Sequence, residues 1–149
     1  MKTLIVYDSF YGNTGKVADA IAAIFSEDAQ EIHVSQVDYD SLKDVETLIV
    51  GSPTHGGAPS QSIQTFLSRL PAPGSPSAKA VAFDTRLSWK FMEKYGGAAE
   101  KMAELLREKG WRLHLSPEGF LVGGLRRGPL KSGELERATL WAKQIKGDC

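Results

Sequence analysis

Short, uninterrupted apolar runs alternate with stretches of helical period along almost the whole chain, and this alternation restricts the fold more than any other feature. Thr3–Tyr7 and Thr47–Gly51 are rich in Leu, Ile and Val, the pattern of strands buried on both faces. Ala80–Phe83 is a third, weaker run. After Thr14, residues Val17, Ala20, Ile21 and Ile24 fall at i, i+3, i+4 and i+7, one face of a helix. Ile63, Phe66, Leu67 and Leu70 repeat that spacing, as do Ala99, Met102, Ala103 and Leu106. A last helix is expected from near Ser132, with Leu135, Ala138, Ala142 and Ile145 inward. Glu31–Val37 is a further strand candidate. Trp111–Leu115 and Phe120–Val122 are two candidates for the final strand, on either side of the turn-like Ser116-Pro117-Glu118-Gly119. The segment Pro71-Ala72-Pro73-Gly74-Ser75-Pro76-Ser77 reads as a loop, because proline denies it ladder and helix bonds.

Such alternation predicts an α/β chain with a parallel sheet, helices on both faces and right-handed crossovers. Ligands in such sheets sit beyond the carboxyl ends of the strands, where the strand order reverses. The chemistry is therefore expected just after the first, third and fourth strands.

Composition narrows the partners. The chain has 149 residues, 42% apolar and 24% charged, which suits one domain over 1–149. Eighteen basic residues balance eighteen acidic ones, so there is no overall electrostatic case for nucleic acid or an anionic membrane. Cys149 is the only cysteine; no internal disulfide can form, which suits a reducing compartment. Met1-Lys2-Thr3 runs straight into Leu4-Ile5-Val6-Tyr7, too short for a signal-peptide core. A cytoplasmic protein with neither membrane nor nucleic-acid partner is the expectation, and no His/Cys/Asp spacing suggests a metal.

Ser9-Phe10-Tyr11-Gly12-Asn13-Thr14 joins the first strand to the first helix. Hydroxyls at both ends, a flexible Gly-Asn centre and a helix start make an anion cradle: backbone N–H groups converge, the helix N-terminus favours negative charge, and Ser9 and Thr14 add donors. The same residues also read as a plain strand–turn–helix junction in which Thr14 caps the helix. The Gly-Lys-Ser/Thr ending of a nucleoside-triphosphate loop and the dinucleotide pattern G-x-G-x-x-G are both missing. Asp8 ends a strand as a phosphotransfer carboxylate would, but Leu4–Tyr7 offers it no acidic neighbours for Mg²⁺.

Tyr7-Asp8-Ser9-x-Tyr11-Gly12-Asn13-Thr14 resembles the FMN-phosphate loop of the flavodoxin family, Thr/Ser-x-Thr/Ser-Gly-x-Thr, with Tyr11 in place of the central hydroxyl. Gly51-Ser52-Pro53-Thr54-His55-Gly56-Gly57 is similar to the family's second loop, in which an aromatic residue precedes a glycine beside the flavin. His55 takes the aromatic position, where many members carry tryptophan, and Gly56 takes the glycine whose peptide flips toward the ring. Asp84-Thr85-Arg86-Leu87-Ser88-Trp89-Lys90-Phe91 stands where the third loop stands, with Trp89 the candidate for the ring-covering aromatic and Phe91 its reserve. His55 also reads as an exposed loop residue, Gly56-Gly57 as a plain turn and Trp89 as core packing.

The resemblance covers the whole chain and implies a doubly wound, five-stranded parallel sheet of order 2-1-3-4-5. It implies non-covalent FMN as cofactor, held by Ser9, Phe10, Tyr11, Gly12, Asn13 and Thr14, by Ser52, Pro53, Thr54, His55, Gly56 and Gly57, and by Asp84, Thr85, Arg86 and Trp89. The activity implied is one-electron transfer between a reductase and an acceptor protein. The alternative is an FMN-dependent reductase that takes hydride from NAD(P)H to reduce quinones or nitro compounds, for which this length leaves little room to shape a pocket. A phosphate-binding module that has lost its flavin is a third reading.

Overall fold

In the computed structural model, which describes residues 2–87, 97–123 and 128–147, the chain runs β1 (Thr3–Tyr7), α1 (Asn13–Phe25), β2 (Ala29–His33), β3 (Thr47–Pro53), α2 (Gln61–Arg69), β4 (Lys79–Leu87), α3 (Ala98–Glu108), β5 (Arg112–Leu113), β6 (Glu118–Val122) and α4 (Glu134–Lys146). Every pair of these strands is parallel, in the order β2-β1-β3-β4-β5. This is the α/β architecture and strand order expected. Among the described residues no helix is long and apolar enough to cross a membrane.

The period-two alternation of the strands sorts the core into two layers. Leu4, Val6, Leu48, Val50, Ala80 and Ala82 face α2 and α3, where Ile63, Phe66, Leu67, Met102 and Leu106 are buried. Ile5, Ile49, Val81 and Phe83 face α1 and α4, against Val17, Ile21, Ala142 and Ile145. Residues of both parities are buried, so the strands read as continuous apolar runs. Gly51 lies opposite Phe83, and a Cβ there would stand 2.1 Å from the Phe83 ring, so the aromatic packs directly on the backbone.

Three local expectations change. Strand β2 ends at His33, short of the expected Val37, because the His33 ring accepts the Ser35 N–H at 3.1 Å and turns the chain into a short 3₁₀ segment, Val34–Gln36. In α4 it is Trp141 that faces inward, 6.0 Å from both Phe83 and Phe120, while Leu135 is 40% exposed. The third change is at the fifth position of the sheet, which two strands share: Arg112 and Leu113 pair with Lys79 and Ala80, and 118–122 pair with 83–87. Both candidates for a last strand are used, in line, and the break between them contains Pro117.

The outer side of β6 is occupied bond by bond. The Leu121 N–H donates to Glu134 Oε2 at 2.6 Å, its carbonyl accepts from Lys131 N–H at 2.9 Å, and the Gly123 N–H reaches the Pro129 carbonyl at 2.9 Å. Arg137 donates to the Gly119 carbonyl and the Glu118 carboxylate, ion-pairs with Glu134 at 2.7 Å, and lies 4.5 Å over the Phe120 ring. A turn of α4 thus clasps the last strand.

Candidate functional site

The carboxyl ends of β1, β3, β4 and β6 meet around one cleft. Phe10, Tyr11, Asn13 and Thr14 form one wall, Pro53, Thr54 and His55 a second, and Thr85, Arg86, Leu87 and Val122 the floor and far side. The sequence therefore brings together residues of all three expected loops. Trp89 and its reserve Phe91 lie outside the described residues.

Between β1 and α1 the polar groups are arranged for an acceptor. Gly12 takes φ +92 as the N-cap of α1, a left-handed conformation natural to glycine, and the chain turns into the helix there. Ser9 Oγ accepts the N–H groups of Gly12 and Gly15, each at 3.2 Å. With both lone pairs taken, the hydroxyl keeps only its proton to give. The N–H groups of Asn13 and Thr14, in the first turn of α1, find no partner among the described residues. Asn13 Nδ2 donates to the Gly128 carbonyl at 2.7 Å, which ties the chain after β6 to this loop. Thr14 is turned inward: its Oγ1 lies 2.8 Å from Thr85 Oγ1 and both residues are buried. The Thr14 side chain thus couples the loop to β4. No Lys or Arg occurs between Ser9 and Thr14.

The second loop is a two-residue hairpin. His55 N–H meets the Ala58 carbonyl at 2.9 Å and Ala58 N–H returns to the His55 carbonyl at 3.0 Å. Gly56 and Gly57 have φ +57 and +78, the pair of positive angles that a type I′ turn requires. The His55 ring lies edge-on to Phe10 at 4.9 Å, so two aromatic side chains from different loops touch across the mouth of the cleft. Thr54 binds both ways, its N–H to the Thr85 carbonyl at 2.9 Å and its Oγ1 accepting from Ala98 N–H at 3.1 Å. Ser52 is fully buried, donates to the Pro53 carbonyl at 2.8 Å and accepts Ser60 N–H at 2.9 Å. Its hydroxyl shapes the loop from beneath.

Asp84 and Arg86 form the base of the third loop. Asp84 has no exposed surface and accepts from Arg86 Nε at 2.8 Å, Arg86 Nη2 at 2.7 Å and Ala99 N–H at 2.8 Å. Arg86 Nη2 also reaches Glu100 at 2.8 Å. Burial pushes the Asp84 carboxyl up against the pull of Arg86. For Arg86 and Glu100, burial disfavours the charge but the mutual hydrogen bonds outweigh it, holding the guanidinium protonated and the Glu100 carboxyl below its ordinary range. A Cβ on Gly97 would come within 2.4 Å of this guanidinium and one on Gly119 within 2.3 Å of its Nε. Arg86 is thus clamped between two backbones with its charge compensated, and Asp84 serves it and α3.

Leu87, Val122 and Gly128 join the site without having been expected there. Leu87 lies within the third loop but was not singled out there. Val122 and Gly128 lie where the pattern of the chain is least regular, and nothing in the local sequence singled them out.

These groups fit a phosphorylated flavin: donors without cations at the α1 end suit a phosphate ester, and Pro53, Leu87 and Val122 beside the rings of Phe10 and His55 suit a flat aromatic body.

A family model described as a flavodoxin domain matches residues 4–117. No curated protein matches the sequence. Among solved structures, the chain is similar to a flavodoxin from the domain Archaea, with 24% identity, a TM-score of 0.76, and 99% of this chain and 98% of that one covered. It is similar to flavodoxin 1 of Bacillus cereus, with 20% identity, a TM-score of 0.80, and 100% and 99% covered. It also matches rubredoxin oxygen:oxidoreductase of Desulfovibrio gigas at 19% identity and a TM-score of 0.74, where 99% of this chain spans 35% of that one. At these identities the structural likenesses speak for the fold.

Proposed function

The chain belongs to the flavodoxin domain family, and on that premise we propose that it holds FMN without a covalent bond and relays electrons between a reductase and an acceptor protein. The observation that carries this reading is the donor set at the start of α1. Ser9 has only its hydroxyl proton left to give, and Asn13 and Thr14 present N–H groups that no described residue engages, beside an aromatic-lined cleft.

When bound, FMN supplies the capacity to take up and release electrons singly, and the protein's residues do the rest. Ser9, Asn13 and Thr14 would hold the phosphate by dipoles alone. Thr85 fixes Thr14 from below through its hydroxyl and Thr54 through its carbonyl, so one residue of β4 sets the spacing of two loops. Pro53, Leu87 and Val122 would shield the ring from water, and the Phe10–His55 contact across the mouth would have to open to admit it. The Gly56-Gly57 turn offers backbone groups to the ring edge. The exposed side of the cleft, where Phe10 and Tyr11 are about half exposed, would be the face open to a redox partner.

The test is titration of the flavin-free protein with FMN and riboflavin, followed by stepwise reduction of the loaded protein. Tight binding of FMN, weaker binding of riboflavin and slow direct oxidation of NAD(P)H are expected. Rapid NAD(P)H turnover with a quinone, in the absence of a separate reductase, would reassign the chain to the reductase reading.

A further inference from the structure

The anion position between β1 and α1 contains no cation, and one of its neighbours is an acid. Asp8 closes β1 and is only 4% exposed. Its Oδ1 accepts the Ser9 N–H at 2.9 Å and lies 3.2 Å from His33 Nε2. His33 Nδ1 accepts the Ser35 N–H at 3.1 Å and has Ser35 Oγ at 2.8 Å. That nitrogen is an acceptor, so the ring proton resides on Nε2, and a neutral imidazole donates to Asp8. The carboxylate is therefore seated by two hydrogen bonds but not cancelled by a charge. It also removes the Ser9 N–H from the loop's donors. An asparagine oxygen would accept the same two bonds, so the hydrogen-bonding geometry does not require the charge.

We propose that Asp8 is a specificity-determining residue of the phosphate end: its buried carboxylate, seated by Ser9 and His33, opposes the phosphate ester and keeps the preference for FMN over riboflavin below what the loop's donors alone would give. This rests on the FMN reading above.

The test compares native protein, Asp8→Asn and Asp8→Ser, each stripped of flavin and titrated at neutral pH with FMN and with riboflavin by fluorescence quenching. Removing a like charge from a partly buried neighbour is expected to tighten FMN about tenfold. Riboflavin affinity stays unchanged in both variants, which also reports that the site has folded. His33→Gln keeps an N–H donor toward Asp8 and leaves the charge in place, so the ratio of the two affinities stays at the native value. FMN affinity that falls or stays constant in Asp8→Asn overturns the proposal, as does a parallel change for both flavins. Those results leave the FMN reading intact when the native protein binds FMN. Native protein that binds neither flavin removes both.

Discussion

Glu31, on β2, has a buried Oε2 that no donor reaches. Burial, then a hydrogen bond shared with Asp19, then the charge of Asp19 push its carboxyl up to about 7. Two carboxyls can share a hydrogen bond only when one holds a proton, so the folded state favours the protonated form. The native group binds its proton more tightly than the unfolded one, whose value is near 4.5. Its contribution to stability is therefore complete below that value and is lost as pH rises through about 7. Glu31→Gln should remove this slope and leave the protein about 1 kcal/mol more stable than native at pH 8, a modest figure because the half-buried site is screened. Denaturant midpoints measured from pH 5 to 8 check it, and parallel curves for the two proteins would refute it. Arg86 predicts the opposite kind of result. Arg86→Met leaves the fully buried Asp84 without its counter-charge and should cost about 3–5 kcal/mol. Adding Asp84→Asn should recover much of that loss in thermal melts.

At the level of elements, the hairpin at Gly56-Gly57 has a particular property. Rotating its central peptide converts a type I′ turn into type II′, and both close a two-residue hairpin. The paired bonds between His55 and Ala58 need not break, so the Gly56 carbonyl can change sides at low cost. The second form places residue 56 in a region open only to glycine, whereas the first merely strains an alanine by about 1 kcal/mol. Gly56→Ala should hence fold with a small loss of stability, while the gap between the two one-electron potentials of the FMN-loaded protein narrows in potentiometric titration. An unchanged gap would assign the turn a purely structural role. Such a hairpin was legible as a glycine-bearing loop after an apolar run, as were the loops after Tyr7 and Phe83, because local period and local turn chemistry determine them. The Thr14–Thr85 hydroxyl contact was not, because its partners lie 71 positions apart and only the closed sheet brings them together. Asp84 and Arg86 read as loop polars for the same reason: their acceptors and clamps, Ala99, Glu100, Gly97 and Gly119, belong to other elements.

For the whole molecule the relevant fact is that an open sheet has two edges. One edge is β2, five residues long, with the half-buried carboxyl of Glu31 set into it. The other includes β6, whose outward amides and carbonyls are already bonded to Glu134, Lys131, Pro129 and Arg137. Burial alone would raise the Glu134 carboxyl, but its bonds from Arg137 and Leu121 outweigh that and hold it low. A depressed carboxyl contributes stability present above the ordinary value and lost as pH falls, so acid loosens the clasp. Arg137→Ala combined with Glu134→Ala should free the Leu121 N–H and the Gly119 carbonyl. Light scattering during concentrated refolding should then rise for the variant and stay flat for the native chain; equal scattering would show the clasp to be irrelevant to self-association. Seen this way, the turn of α4 that grips Gly119 and Leu121 acts as a seal against templating. A strand whose hydrogen bonds are already spent gives a neighbouring copy nothing to zip onto along this edge.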